Sequence, residues 1–165
     1  MEEHDATIED KFTIFETIDD KQHKINILDT AGEEDYQSLL DQWIEATDGF
    51  ILVYSIDDKK SFEVLEDKYK RIKQFDTGNN CPIIIVGNKS DLEDKRNVEQ
   101  KDAQNWANSR HMKYFETSAT TGKFEQVKLV FVECAKEIIN KRKESFQQNT
   151  NNTTKSGWLY YCDIF

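Results

Sequence analysis

The stretch ILDTAGEEDY (Ile27–Tyr36) is an apolar run that ends in a carboxylate, a hydroxyl and a glycine. In open α/β sheets, ligands bind beyond the carboxyl ends of the strands, so a strand with this ending is a candidate binding element. Asp29 favours a metal ion, because carboxylate oxygens are ligands that hard cations prefer. Gly32 lets the backbone come close to a bound group. The stretch therefore predicts a ligand site at the tip of a strand.

Two continuous apolar runs further along the chain indicate the kind of sheet to which this strand belongs. GFILVYSI (Gly49–Ile56) and PIIIVGN (Pro82–Asn88) are rich in β-branched residues, as are strands buried on both faces of a parallel sheet. Between them, apolar residues recur at three- and four-residue steps from Phe62 to Phe75. This spacing predicts a helix, and Ser61 is its expected N-cap.

The same patterns assign the other regular elements. They predict a hairpin from Lys11–Ile18 and Lys24–Leu28, a helix over Val98–Ala107, a short strand over Lys113–Thr117 and a long last helix from Phe124 through Ile138. Strands alternate with helices over most of the chain. That alternation predicts an α/β fold whose strands are mostly parallel.

Length, charge and cysteine content restrict the class of protein. The 165 residues suffice for one domain, which we predict to cover residues 1–144. From Ser145 the sequence becomes polar and aperiodic, which predicts a disordered tail over residues 145–165. A net charge of −10 argues against a nucleic-acid partner. Three cysteines without a secretory signal favour a reducing, cytoplasmic location.

Three predicted strand ends carry distinctive polar residues. Each could be an ordinary capped turn if it stood alone, but all three follow predicted strands in this order. The segments are Asp29-Thr30-Ala31-Gly32, Asn88-Lys89-Ser90-Asp91 and Glu116-Thr117-Ser118-Ala119.

The combination resembles the small GTPases of the Ras type, over residues from Glu2 to about Lys141. HDATIED (His4–Asp10) resembles their first switch loop, and LDTAGEEDYQSLLDQWI (Leu28–Ile44) resembles the second. GNKSD resembles the guanine-reading loop, and ETSA resembles the loop that supports it. The resemblance implies the three-layer small G-protein fold, related to P-loop NTPases, with GTP or GDP as ligand.

The resemblance also assigns the residues that read the base. Guanine presents a ring N–H beside an exocyclic amine, and the carboxylate of Asp91 would accept hydrogen bonds from both. Adenine lacks this pair of donors, so the contact would select guanine. Asn88 would brace the loop, Lys89 would lie along the base, and the Ala119 N–H would meet the guanine carbonyl. Ser118 belongs to the same nucleotide-binding set.

A second set of residues would sense the γ-phosphate and Mg²⁺. By resemblance, Thr7 would bind Mg²⁺ through its hydroxyl, and Asp29 would hold the same ion through water. The Gly32 N–H would contact the γ-phosphate, so both switch loops would order with GTP. Glu33 occupies the catalytic position where the family usually has a glutamine that orients the attacking water.

The sequence departs from the family in one large respect. None of its six glycines begins the phosphate-loop motif G-x-x-x-x-G-K-[ST]. Aligned on TIED, the chain begins inside the first switch, so it is expected to be N-terminally truncated and to lack the central first strand. We therefore expect impaired nucleotide binding and hydrolysis, and two unpaired apolar strand edges that favour aggregation.

Two further segments imply partners. Ile8, Glu9 and Asp10 match the effector segment of the Ras branch, so effectors, exchange factors and GTPase-activating proteins are expected partners. Cys162 begins a C-terminal tetrapeptide with the length of a prenylation signal, which would attach the protein to the inner leaflet of the plasma membrane.

Three functional hypotheses remain open at this stage. The first is a GTP-binding signalling switch that hydrolyses GTP. The second is a scaffold or decoy that binds partners through Ile8–Asp10 without nucleotide. The third is a fragment of a full-length GTPase without function of its own.

Overall fold

A six-stranded sheet with helices on its two faces organises the protein. The computed structural model describes residues 9–30, 37–76, 80–120, 122–148 and 160–164. The strands are β1 (Glu9–Ile18), β2 (Lys21–Thr30), β3 (Gly49–Ser55), β4 (Ile83–Asn88), β5 (Lys113–Glu116) and β6 (Tyr160–Ile164). The helices are α1 (Gln37–Ala46), α2 (Lys59–Glu63), α3 (Leu65–Phe75), α4 (Gln100–Asn108) and α5 (Phe124–Gln148).

The strand order is β1-β2-β6-β3-β4-β5. β1 pairs antiparallel with β2, and every other neighbouring pair in this sheet is parallel. The prediction of an α/β fold with a mostly parallel sheet is therefore confirmed. Parallel strands place their carboxyl ends at one edge of the sheet, and this edge is called the carboxyl edge below.

The predicted hairpin is present, and its strands are longer than the sequence pattern indicated. Asp19 and Asp20 form its turn with φ angles of +50° and +59°. A two-residue turn with both residues in the left-handed region matches the twist of the strands it joins, and aspartate tolerates that region. The turn fixes the register in which Ile18 lies opposite Lys21.

The central strands are buried on both faces, as predicted. Phe50 and Leu52 of β3 are fully buried and belong to a core cluster with residues of α3 and α4. Ile51 faces the other side, where it packs with Cys134 and Ile138 of α5. A side chain at Gly49 would place its Cβ 2.9 Å from Ile138 Cδ1, so glycine allows α5 to lie directly on the start of β3.

The helix predicted to follow Ser61 begins earlier in the structure than predicted, and it is divided into two helices. Two helices are present, and Asp58 is the N-cap of the first, since its Oδ1 accepts a 2.9 Å hydrogen bond from the Lys60 N–H. Ser61 Oγ instead donates to the Asp58 carbonyl at 2.7 Å and accepts from the Ser55 N–H at 2.9 Å. Asp58 is the stronger cap because its carboxylate also complements the helix dipole.

The predicted disordered tail differs from the structure in two places. α5 continues through Gln148, and residues 160–164 form β6 between β2 and β3. The sequence signal is the apolar run WLYYCDIF at residues 158–165, whose length and composition suit a buried strand. β6 pairs with both β2 and β3, so the two strand edges that we expected to be unpaired are paired. The domain boundary at residue 144 stays a prediction.

Candidate functional site

Two loops lie side by side at the carboxyl edge, beyond β4 and β5. The Thr117 N–H donates to the Gly87 carbonyl at 2.9 Å, and the Ser90 N–H donates to the Thr117 carbonyl at 2.9 Å. A side chain at Gly87 would place its Cβ 2.8 Å from Tyr54 Oη, so glycine is required for the close packing of that ring. The structure thus brings together the two strand ends that the sequence predicted to cooperate.

Asp91 is held by a buried serine of the neighbouring loop. Ser118 is fully buried, and its hydroxyl donates a short hydrogen bond to Asp91 Oδ1. The oxygen of Ser118 in turn lies 2.7 Å from Thr120 Oγ1 and accepts from the Thr120 N–H at 3.2 Å. The Ser118 hydrogen bond lowers the pKa of Asp91, so its exposed carboxylate is charged at neutral pH.

Lys89 adopts an unusual backbone conformation in the same loop. Its φ is +62°, in the left-handed region that a side chain disfavours by about 1–2 kcal/mol. Strain of this kind is concentrated at functional sites. Its ammonium lies 3.7 Å from Asp57 Oδ1 and stays half exposed, so the side chain is available to a ligand. Asn88, before it, accepts a 3.5 Å hydrogen bond from the Thr117 hydroxyl.

Arg96 braces both loops, and sequence reasoning missed it. Its guanidinium makes two 2.9 Å hydrogen bonds to Glu116 and bonds of 2.8 and 2.6 Å to Glu93. Tyr114 Oη donates to Glu116 at 2.5 Å and lies 3.0 Å from Tyr54 Oη. The hydrogen bonds to Glu93 and Glu116 raise the pKa of Arg96, and burial raises that of Tyr114. Opposite charges twenty residues apart give no local pattern, which is why the sequence did not reveal the pair.

Asp29, the second-last residue of β2, lies at the same edge of the sheet, on the other side of β6 and β3. Three strand spacings separate β2 from β4, which is about 14 Å. Asp29 lies directly opposite Asp10 of β1. Burial raises the pKa of Asp29, and the charge of Asp10 adds to this effect. The loops after β4 and β5 therefore lie at the same edge of the sheet as Asp29.

The oxygen donors at this end fit a Mg²⁺ ion only in part. Two carboxylates that face each other across a hairpin favour a cation, because its charge would relieve their repulsion. Among the residues that the structure describes, no group of three or more His, Cys, Asp or Glu side chains could hold a metal ion. An ion at Asp29 would therefore need further ligands, such as the predicted Thr7 hydroxyl and phosphate oxygens.

Several predicted site residues lie outside the described residues. These are Thr7, Ile8, Gly32 and Glu33. The backbone of Glu9 lies at the start of β1, opposite Thr30, and that of Cys162 lies in β6. Within the ranges that the structure describes, no helix is long and apolar enough to cross a membrane.

Comparison with known proteins gives a consistent result. A sequence model of the Ras family matches residues 1–140. Ras-related protein R-Ras of Mus musculus is 39% identical over 119 residues, which cover 72% of this chain and 55% of R-Ras. Ras-like protein 1 of Saccharomyces cerevisiae is 39% identical over 119 residues, covering 72% of this chain and 38% of that protein. GTP-binding protein Rit1 of Mus musculus is 37% identical over 143 residues, covering 87% and 64%. The chain thus spans about half the length of the curated relatives it matches.

Proposed function

Because the chain belongs to the Ras family of small GTPases, we propose that it binds guanine nucleotides at the carboxyl edge of its sheet and acts as a GTP/GDP switch. The observation that carries the proposal is the Ser118–Asp91 hydrogen bond, which fixes a charged, exposed carboxylate between two joined loops. A fixed carboxylate is the group that accepts the two adjacent N–H donors of guanine. Such a site rejects adenine because the carboxylate would lose both donors.

Neighbouring residues complete the proposed base site. We propose that the exposed Lys89 side chain lies along the base and that Ala119, also exposed, offers its N–H to the guanine carbonyl. Asn88 and Ser118 hold the two loops together. Because these contacts are made within the protein, little conformational entropy would be lost when the base binds.

Of the residues proposed for the phosphate end, only Asp29 lies within the part of the chain that the structure describes. We propose that Asp29 and Thr7 hold Mg²⁺, that Gly32 contacts the γ-phosphate and that Glu33 orients the attacking water. When bound, Mg²⁺ supplies positive charge that neutralises the β- and γ-phosphate oxygens. Glu33 offers an oxygen to accept from water, but it lacks the N–H donor of glutamine.

We propose that the affinity of the 165-residue chain for nucleotide is low. The sequence holds no G-x-x-x-x-G-K-[ST] motif, so the phosphates lack the lysine and backbone N–H groups that the motif supplies. Charge-assisted hydrogen bonds contribute roughly 1.5–3 kcal/mol each. The absence of three or four of them lowers affinity by about four decades or more. GTP hydrolysis by this chain is weak for the same reason.

A second candidate function is a nucleotide-independent interaction. β1 is an outer strand of the sheet, and Phe12 and Phe15 on it are 52% and 60% exposed. Asp10 adds a negative charge near the predicted effector residues Ile8 and Glu9. This edge suits β-augmentation by a partner strand from a basic effector domain, with or without nucleotide. Effector binding that is unchanged by EDTA and by a GTP analogue would favour this function over the switch.

Membrane attachment through Cys162 is a separate proposal. A prenyl group on Cys162 would bring the protein to the cytoplasmic face of the plasma membrane, and one lipid alone anchors weakly. The mass of the protein purified from eukaryotic cells tests this, since an unmodified Cys162 contradicts it.

The proposed base site is tested by calorimetric titration of the 165-residue chain with GDP and with ADP in Mg²⁺ buffer. We expect a micromolar or weaker GDP affinity that exceeds the ADP affinity by about tenfold or more. Asp91→Ala should remove this preference. Asp94→Ala, which removes another exposed carboxylate nearby, should keep it.

Each part of the proposal can fail separately in this experiment. Equal affinities for GDP and ADP would contradict guanine recognition by Asp91. A nanomolar, Mg²⁺-dependent GDP affinity would leave guanine recognition intact and contradict the proposed loss of phosphate binding.

A further inference from the structure

A cavity of about 460 Å³ lies at the edge of the sheet where β4 and β5 begin, which is called the amino edge below. Apolar residues at or just before the starts of these strands line part of it, among them Pro82, Ile83 and Met112. β4 has six residues, so roughly 20 Å separate this cavity from the loops that follow β4 and β5. The cavity includes no residue of the proposed nucleotide site.

Positively charged side chains converge on this amino-edge cavity from four parts of the chain. They are Lys73 near the end of α3, Arg110 after α4, Lys113 at the start of β5 and Lys141 on α5. Glu137 is the only carboxylate among the described residues that line the cavity. The chain as a whole has a net charge of −10, so a concave site with this balance is opposite in sign to the protein that contains it.

Helix ends account for only two of these cations. Lys73 and Arg110 lie in or just after the last turns of α3 and α4, where positive charge complements the helix dipole. Lys141 lies about two turns before the end of α5, and Lys113 lies in a strand. The helix dipoles therefore do not explain why all four meet at one cavity.

Lys141 is half-buried at this cavity and makes no ion pair with a described residue. Its ammonium donates to the Asn80 carbonyl, and no carboxylate oxygen of the described residues lies within 4.0 Å of it. Burial and the positive charge of Lys73 lower the pKa of Lys141. Two ammonium groups that repel each other in a concave site favour a bound anion, because its charge would relieve the repulsion.

The lysines on either side of Lys141 have ion pairs that leave them accessible. Lys73 Nζ lies 3.6 Å from Asp76 Oδ2, which is longer than a hydrogen bond, and its side chain is 36% exposed. Lys113 Nζ lies 2.8 Å from Glu137 Oε1, and its side chain is 43% exposed. Exposed ion pairs of this kind are weak, so a multiply charged anion can compete for both ammonium groups.

His111 lines the same cavity and has an unusual backbone conformation. Its φ is +58°, in the left-handed region that a side chain disfavours by about 1–2 kcal/mol. The position follows α4, where glycine is the common residue in this conformation. A costly conformation is typical of functional sites, and here it places an imidazole N–H donor beside the cations.

We propose that the amino-edge cavity binds an anion that carries two or more phosphate groups, with Lys73 and Lys141 as its principal ligands and Lys113 and His111 at its rim. Lysine ammonium groups are compact charges that bind phosphate oxygens from several directions. A single phosphate would leave part of the positive charge uncompensated. A phosphorylated inositol has this chemistry, either as a soluble molecule or as the headgroup of a lipid.

The proposal is independent of nucleotide binding at the carboxyl edge, so either can fail without the other. Calorimetric titration of the 165-residue chain with inositol hexakisphosphate at low ionic strength tests it. We expect a dissociation constant of about 50 μM. Lys73→Gln/Lys141→Gln should weaken binding about tenfold or more, because it removes both principal ligands. Lys95→Gln/Lys101→Gln removes two exposed cations elsewhere, changes the net charge equally and should bind as the unmodified chain does.

A substitution of the opposing carboxylate should change the affinity in the opposite direction. Glu137→Gln removes the negative charge from the lining and releases Lys113, so binding should strengthen about threefold. Glu144→Gln, at an exposed position of the same helix, is the matched control and should have little effect. Unchanged or weaker binding in Glu137→Gln would contradict the proposal even if the double lysine variant failed to fold.

Sedimentation with vesicles identifies the source of the phosphate groups. Co-sedimentation with phosphatidylcholine vesicles that contain phosphatidylinositol 4,5-bisphosphate, lost in Lys73→Gln/Lys141→Gln, would assign the cavity to a lipid headgroup. Binding of inositol hexakisphosphate without co-sedimentation would assign it to a soluble anion. The proposal is overturned if neither probe binds at about 1 mM. It is also overturned if the two double variants lose affinity equally, since attraction would then be a property of net charge.

Discussion

The two ends of the carboxyl edge are built in different ways. At the β4–β5 end, Asp91 and Glu116 each have a dedicated hydrogen-bond donor, Ser118 and Arg96. At the β2 end, Asp29 faces a second carboxylate, and burial raises its pKa. The β4–β5 end is preorganised by hydrogen bonds within the protein, whereas the β2 end holds charge that a cation would stabilise.

Arg96→Ala is expected to have the largest effect at the preorganised β4–β5 end. The Arg96 side chain is 10% exposed and that of Glu116 is 14% exposed, so the variant leaves a nearly buried carboxylate without its cation. We expect a loss of about 3 kcal/mol in the free energy of unfolding, measured by urea denaturation. Lys95→Ala, which removes an exposed neighbouring cation, is the control and should change stability little. A loss below about 1 kcal/mol would mean that Arg96 does not brace the two loops.

A smaller effect is expected for Ser118→Ala, which removes the donor to Asp91. The pKa of Asp91 should rise toward its ordinary value, because the Ser118 hydrogen bond is the largest cause of its depression. A depressed pKa stabilises the folded state above the unfolded-state pKa, and this stabilisation is lost as the pH falls through the folded-state pKa. The unmodified protein should therefore be more stable than Ser118→Ala at pH 7, and this difference should shrink in acid.

The same variant should weaken GDP binding about fivefold, since Asp91 is no longer held in position. NMR titration of the Asp91 carboxyl measures the pKa, and calorimetry measures the affinity. Ser90→Ala in the adjacent loop is the matched control. An unchanged Asp91 pKa in Ser118→Ala would contradict the preorganisation of this end.

Sequence reasoning predicted most of the regular elements, and it predicted that the loops after β4 and β5 lie together. Continuous β-branched runs and the three polar strand ends are local patterns, and family membership confirms the resemblance drawn from them. Contacts between distant residues were not predictable in the same way. Arg96 contacts Glu116 only when β5 lies beside β4. The start of the helix depends on which residue caps it, and Asp58 does so rather than the nearby Ser61.

β6 shows a second kind of limit to prediction from sequence. The run WLYYCDIF follows a long polar segment, and its last four residues have the length of a prenylation signal. The local pattern therefore supported a tail. Its place in the sheet depends on pairing with both β2 and β3, which lie far from it in the sequence.

The smallest effect is expected for Asp10→Asn, at the β2 end of the carboxyl edge. Asp10 and Asp29 lie directly opposite each other in the hairpin, and like charges in this arrangement destabilise it. We expect the variant to be more stable by about 0.5 kcal/mol at pH 7. Asp20→Asn in the turn is the control, because it removes a charge that does not face Asp29.

The pH dependence of this gain follows from the sign of the Asp29 shift. A raised pKa means that ionised Asp29 destabilises the folded state above that pKa, and this cost is lost as the pH falls below the unfolded-state value. The gain from Asp10→Asn should therefore vanish near pH 3, where Asp29 is protonated. Urea denaturation at the two pH values measures it. A gain that persists in acid would show that Asp10 acts through packing rather than charge, and the contrast between the two ends would then not be electrostatic.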